Sequence, residues 1–257
     1  MPELDRDGVA IHYEVHGPHA GEARGPALLL SHGYGATTQM WNGNLPALAR
    51  DRVVVTWDIR GHGRSDSPDD PALYSEELSV QDMAAVLDAV GEQTAVIGGL
   101  SLGGYLSLAF NIRYPKRVTA LVLCDTGPGY KRDEPREQWN DTARRRADQL
   151  DTKGLAALGE SAEVRDNPHR SARGLALAAR HILTQRDPSV IESLPTIKVP
   201  TLVLVGADDK PFLTAADVMA AKIPGATKAV IPGAGHAANI DQPEAFDEAV
   251  LGFLATL

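Results

Sequence analysis

The chain has 257 residues, 43% of them hydrophobic and 23% charged, with a net charge of −9. That length suits one α/β core with a modest insertion, and the composition excludes a disordered chain. The negative balance argues against non-specific binding to nucleic acid or to an anionic membrane surface, both of which need surplus Lys and Arg.

One cysteine, Cys124, rules out an internal disulfide and fits a reducing compartment. The stretch from Met1 to Asp7 lacks the basic and apolar regions of a signal peptide. No apolar run approaches the ~20 residues needed to span a bilayer. A cytoplasmic protein is expected.

In chain order, Val9 to Val15 alternates apolar and polar residues, which predicts an antiparallel edge strand with one wet face. The runs Leu28 to Ser31, Val53 to Trp57, Ala95 to Ile97, Leu121 to Cys124, Thr201 to Val205 and Ala229 to Ile231 do not alternate. Continuous apolar strands of this kind belong to parallel sheets covered by helices on both faces. Met83, Val86, Leu87 and Val90 share one helical face, with Gly91 as a stop. Phe246, Val250, Phe253, Leu254 and Leu257 make a similar stripe at the end of the chain. Helices alternating with buried strands predict a doubly wound α/β sheet.

The segment from Pro128 to Pro195 differs in character. It is rich in Ala, Leu, Arg, Asp and Glu and has no obvious strand, with helical spacing in Leu175, Leu177, Ala178 and Ile182. It is nearly balanced in charge, so the remainder holds all of the net negative charge. We therefore expect a core over 1–127 and 196–257 and a helical cap over 128–195.

Gly99-Leu100-Ser101-Leu102-Gly103 has the form G-x-S-x-G, between a predicted strand and an apolar helical run from Tyr105 to Phe110. A sharp strand-to-helix turn exposes the serine oxygen, and the small flanking residues let neighbouring backbone come close. A serine hydroxyl needs a base to act as nucleophile near neutral pH. Of the downstream histidines, His169 and His181 fall in the helical segment, whereas His236 follows the strand Ala229 to Ile231 in a glycine-rich loop. The acid that orients it should also follow a strand, and Asp208, Asp209 and Asp125 all qualify.

Four stretches resemble the α/β-hydrolase superfamily: Ser31-His32-Gly33-Tyr34-Gly35, Asp58 to Ser65, the elbow at Ser101, and the loops holding Asp209 and His236. The likeness spans nearly the whole chain. It is greatest to the compact bacterial branch of carboxylesterases, enol-lactonases, cofactor-free haloperoxidases and meta-cleavage hydrolases. The resemblance implies an α/β-hydrolase fold with Ser101 as nucleophile and His236 as base. Counting three residues from Gly206 makes Asp209 the acid, with Asp125 as a fallback. It also implies an oxyanion hole from the backbone N–H groups of Tyr34 and Leu102. His32, Asp58, Arg60 and His62 are expected to brace a turn near the site. Serine at the elbow departs from relatives that use aspartate there, and Ala237 after His236 departs from many meta-cleavage enzymes.

The expected activity is hydrolysis of a small-molecule carboxylic ester or lactone through an acyl-enzyme. C–C bond or enol-lactone hydrolysis with the same residues is the alternative, and a slow-turnover ligand receptor is the alternative of another class. No cluster has metal-ligand spacing and no phosphate-binding glycine loop is present, so neither metal nor cofactor is expected. Trp139, Leu175 and Leu183 either line an apolar pocket or pack the cap, and Arg144 to Arg146 reads as a solvated helix face. A small-molecule substrate is the expected partner, and a homo-oligomer is compatible with the sequence.

Overall fold

The computed structural model describes residues 3–18, 22–165 and 167–257. The reading of Met1 and Pro2 lies outside the described residues. Eight strands form one sheet: β1 (Glu3–Asp5), β2 (Ala10–His16), β3 (Ala27–Ser31), β4 (Val54–Trp57), β5 (Ala95–Leu100), β6 (Val118–Cys124), β7 (Thr201–Gly206) and β8 (Thr227–Ile231). Their spatial order is β1-β2-β4-β3-β5-β6-β7-β8. β1 and β2 run antiparallel to their neighbours, and all other pairings are parallel.

The apolar strands serve two cores at once. In β3, Leu29 packs into one core while Leu28 and Leu30 pack into the other. Ile97 and Val96 of β5, and Leu121 and Val122 of β6, divide in the same way. Successive side chains of a strand point to opposite faces, so a strand covered on both sides must be apolar throughout. The helices Glu76–Ala89 and Leu102–Arg113 cover one face through Met83, Leu87, Leu106 and Phe110. The helix Pro243–Leu254 covers the other through Phe246, Val250 and Leu254. Ser75 caps the first of these helices by accepting a hydrogen bond from Leu78 N–H at 3.0 Å.

The expected edge strand is antiparallel, but it does not form the edge. The three-residue β1 pairs outside it, with Leu4 opposite Ile11. Three residues are too few to show alternation, so the sequence pattern does not reveal β1. Ile11 and His12 are buried whereas Val15 is 49% exposed, so β2 has the predicted wet side only near its end.

Between β6 and β7 no strand occurs among the described residues. The chain instead runs through the long helix Asp133–Lys153 and several short helices, including Ala172–Ala178 and Ser189–Ser193. The fully buried residues of the long helix are Asn140, Ala143, Ala147 and Leu150, which lie at helical spacing on its inner side. No helix of the described residues is long and apolar enough to cross a membrane.

Candidate active site

The parallel register brings the candidate residues to one edge of the sheet. Leu100 lies opposite Cys124, Cys124 opposite Leu204, and Gly206 opposite Ile231. Ser101, Asp125, Asp209 and the His236 loop therefore all leave the carboxyl ends of neighbouring strands, where ligands of open α/β sheets bind.

Ser101 follows β5 directly and caps the helix Leu102–Arg113 with φ 54° and ψ −114°. A non-glycine residue at positive φ costs of order 1–3 kcal/mol and persists only where its surroundings enforce it. Here Ser101 N–H donates to Cys124 O at 3.0 Å, and Thr126 Oγ1 donates to Ser101 O at 2.6 Å. The flanking glycines are required by contact. A Cβ on Gly99 would lie 2.5 Å from the Gly103 carbonyl carbon, and one on Gly103 would lie 2.1 Å from Ser31 O.

His236 Nδ1 donates to Asp209 Oδ2 at 2.8 Å. Asp209 is 4% exposed and sits at the start of the helix Lys210–Lys222. Two backbone bonds clip the acid loop to the histidine loop, from Ala207 N–H to Ile231 O and from Asp208 N–H to Ala234 O, each 2.9 Å. Gly206 permits this approach, because a Cβ there would lie 2.2 Å from Gly235 O. Asp208 is exposed and is not the partner of His236.

Asp125 is also buried, with φ 44°. Its Oδ1 accepts from Gly206 N–H at 2.7 Å, and its Oδ2 has no hydrogen-bond partner. Burial pushes its carboxyl up to about 7, against the Gly206 bond and the nearby His236. Asp125 thus braces the strand end from which Asp209 departs. Burial disfavours the charge on His236, but the bond to Asp209 and the carboxylates of Asp209, Asp125 and Glu163 outweigh it and raise its pKa. No hydrogen bond closes from Ser101 Oγ to His236, a contact that often tightens only around a bound substrate.

The loop holding Tyr34 lies beside the elbow, since a Cβ on Gly33 would come 3.5 Å from Ser101 Cβ. The amides of Tyr34 and Leu102 carry no backbone hydrogen bond among the described residues. His32 braces this loop. Its Nδ1 donates to Gly33 O at 2.7 Å and its Nε2 accepts from Ile59 N–H at 3.0 Å. Burial pushes it down to about 4, so it is neutral. The 58–65 turn is likewise held internally. Asp58 accepts from Thr38 N–H and Arg64 N–H, and Arg60 makes a buried pair with Asp82 at 2.5 Å.

A cavity of about 540 Å³ opens beside Ser101. Ser101, Leu102 and Phe212 line it from the sheet side, and Trp139, Leu183 and Ile191 from the helical segment. Leu175 does not line it. That side chain is fully buried in the core because the helix Ala172–Ala178 turns inward. Arg144 pairs with Glu137 and Asp141 on the outer surface, as a solvated face requires.

Residues 28–249 match the family model described as the alpha/beta hydrolase family. The chain belongs to the alpha/beta hydrolase family. It is 29% identical to 3-oxoadipate enol-lactonase 1 of Acinetobacter baylyi over 98% of this chain and 96% of that one. Among solved structures it is similar to a thermophilic esterase from Thermogutta terrifontis, with a TM-score of 0.86, 28% identity, and coverage of 100% of this chain and 99% of that one. The enol-lactonase of Burkholderia xenovorans LB400 matches with a TM-score of 0.78 and 28% identity over 99% and 100% of the two chains.

Several residues at the site of this hydrolase escape the sequence reading. Phe212 stacks on His236, and Thr126 holds the elbow. Asn167 and His169 reach the Tyr34 loop from the helical segment. Phe212 stands three residues after Asp209 at a helix start, a position that offers a faint signal. The other contacts join residues far apart in the chain, which local pattern does not report.

Proposed function

We propose that this hydrolase cleaves a small-molecule carboxylic ester or lactone through an acyl-enzyme on Ser101. The observation that carries the reading is the 2.8 Å bond between Asp209 and His236, on loops that leave the same sheet edge as Ser101, itself in the lining of an apolar cavity. Residues 128–195 act as a cap that excludes water and limits substrate size. The similarity to an esterase and to enol-lactonases supports the same substrate class.

With Nδ1–H donating to Asp209, the free lone pair of His236 is on Nε2. Nε2 takes the Ser101 proton as Oγ adds to the substrate carbonyl. The amides of Tyr34 and Leu102 hold the oxyanion, each worth roughly 3 kcal/mol of barrier. The imidazolium then gives its proton to the departing alkoxide, and the alcohol leaves. In the second half His236 takes a proton from water, hydroxide adds to the acyl carbon, and Ser101 regains its proton as the acid is released. A lactone gives a single ring-opened hydroxy acid by the same steps.

The acidic chain and its one buried thiol, Cys124, support a small-molecule enzyme of a reducing compartment, which we take to be the cytoplasm. The test is hydrolysis of short-chain p-nitrophenyl esters by the native protein and by Ser101→Ala, with fluorophosphonate labelling in parallel. Turnover and labelling that both vanish in the variant are expected. A native protein that neither turns over these esters nor takes the label overturns the reading.

A further inference from the structure

The loop that carries Tyr34 is fastened to the cap rather than to the core alone. Tyr34 Oη donates to Leu175 O at 2.9 Å, and Thr37 N–H donates to Asn167 Oδ1 at 2.9 Å. Between them, His169 Nε2 lies 2.9 Å from Gly35 O. The other nitrogen of the same ring, Nδ1, lies 3.1 Å from Gly63 N in the 58–65 turn. A backbone N–H can only donate and a carbonyl can only accept, so the tautomer follows. Nδ1 is unprotonated and Nε2 carries the hydrogen. One neutral imidazole therefore joins the cap to both the Tyr34 loop and the 58–65 turn.

The packing around these bonds is close. A Cβ on Gly35 would lie 3.1 Å from the Leu158 and Val164 side chains of the cap. The His62 ring stands between His32 at 5.0 Å and His169 at 5.9 Å, and touches Tyr34 at 5.3 Å. Within the loop itself, the one backbone hydrogen bond among the described residues runs from Ala36 N–H to Gly33 O. A segment with so few internal bonds takes its position from its neighbours. An oxyanion donor must be held within about 0.5 Å of its working place, and a misplacement of about 1 Å costs on the order of 10²-fold in rate.

We propose that His169 is a positioning residue: from the cap it sets the Tyr34 amide for the oxyanion, so that docking of the cap and readiness of the oxyanion hole are one event. The inference rests on the hydrolase reading above. It assigns His169 no contact with substrate and no proton transfer. Glutamine can imitate a neutral imidazole here, with Oε1 accepting from Gly63 and Nε2 donating to Gly35. Alanine can do neither.

The experiment compares native protein, His169→Gln, His169→Ala and Asn167→Ala at a temperature where all are folded. It reads kcat and KM for a p-nitrophenyl ester and hydrogen exchange of amides 33–37. For His169→Ala we expect kcat to fall by tenfold or more, KM to stay within about twofold, and exchange of 33–37 to accelerate. His169→Gln should recover most of kcat and of the protection. Asn167→Ala, which severs the Thr37 contacts and the Nδ2 bond to Glu163 O but leaves His169 in place, should move both readouts in the same direction by less. A folded His169→Ala with native kcat, a loss confined to KM, or a glutamine variant no better than alanine overturns the proposal. Should His169→Ala not fold, native kcat and native exchange in Asn167→Ala overturn the proposal, whereas a kcat loss with faster exchange of 33–37 in Asn167→Ala and their recovery in His169→Gln uphold it. If the native protein neither turns over ester nor takes the fluorophosphonate label, the hydrolase reading fails by itself, and the exchange data still decide whether His169 orders the loop.

Discussion

The ring of Phe212 lies over the imidazole of His236, with centroids 4.8 Å apart and planes 28° apart. Phe212 also lines the cavity, so one ring touches both His236 and that space. Such a pair contributes about 0.5–1.5 kcal/mol beyond its buried area. Phe212→Ala should lower kcat severalfold and widen tolerance for bulky acyl groups while the protein stays folded. Steady-state kinetics over a series of acyl chain lengths checks this.

Asp209 holds the His236 tautomer and favours its protonated form. A general base works only when neutral, so kcat/KM should fall as pH drops through the His236 pKa. Because that pKa is raised, the acid limb should lie above the usual histidine range. Asp209→Asn should cut kcat by ~10⁴-fold through loss of the productive tautomer. It should also move the remaining acid limb to lower pH. A pH–rate profile of both proteins measures the two effects.

Asp125 should leave its mark on stability rather than on the chemical step. Its carboxyl is raised from 3.8 to about 7 by burial. Between those values the folded state holds a proton that the unfolded state has lost, so this group's contribution is full below pH ~4 and declines as pH rises toward 7. Asp125→Asn should flatten that part of the stability–pH curve, read by denaturant unfolding at several pH values. Asp125→Ala should lower stability by about 1–3 kcal/mol, because Gly206 N–H loses its buried acceptor.

Gly103 tolerates no side chain. Its Cβ would fall 2.1 Å from Ser31 O, a backbone atom of the neighbouring strand. Gly103→Ala should destabilise the protein by about 1–3 kcal/mol and displace the elbow. Thermal unfolding together with the rate of fluorophosphonate labelling would report both.

The β1 strand and the acid show where reading of local pattern stops. β1 is three residues long, below the length at which a period can be seen, yet it closes the sheet outside β2. For the acid, Asp125, Asp208 and Asp209 all stand after strands and are chemically equivalent in the sequence. The register of β7 with β8 and the clip from Asp208 N–H to Ala234 O turn Asp209 onto His236, leave Asp208 in solvent, and aim Asp125 at Gly206.

By itself the sequence determined the parallel sheet, because strands buried on both faces must be apolar at every position. It also determined the elbow at Ser101 and the glycine-rich loop at His236, because backbones in close contact exclude side chains. Both are local constraints, written in neighbouring residues. Only the tertiary structure decided which aspartate meets His236, that Leu175 turns into the core instead of the cavity, and that His169 reaches Gly35 across 134 residues. Those outcomes depend on how separate elements pack, and a contact between distant segments leaves no periodicity in either one.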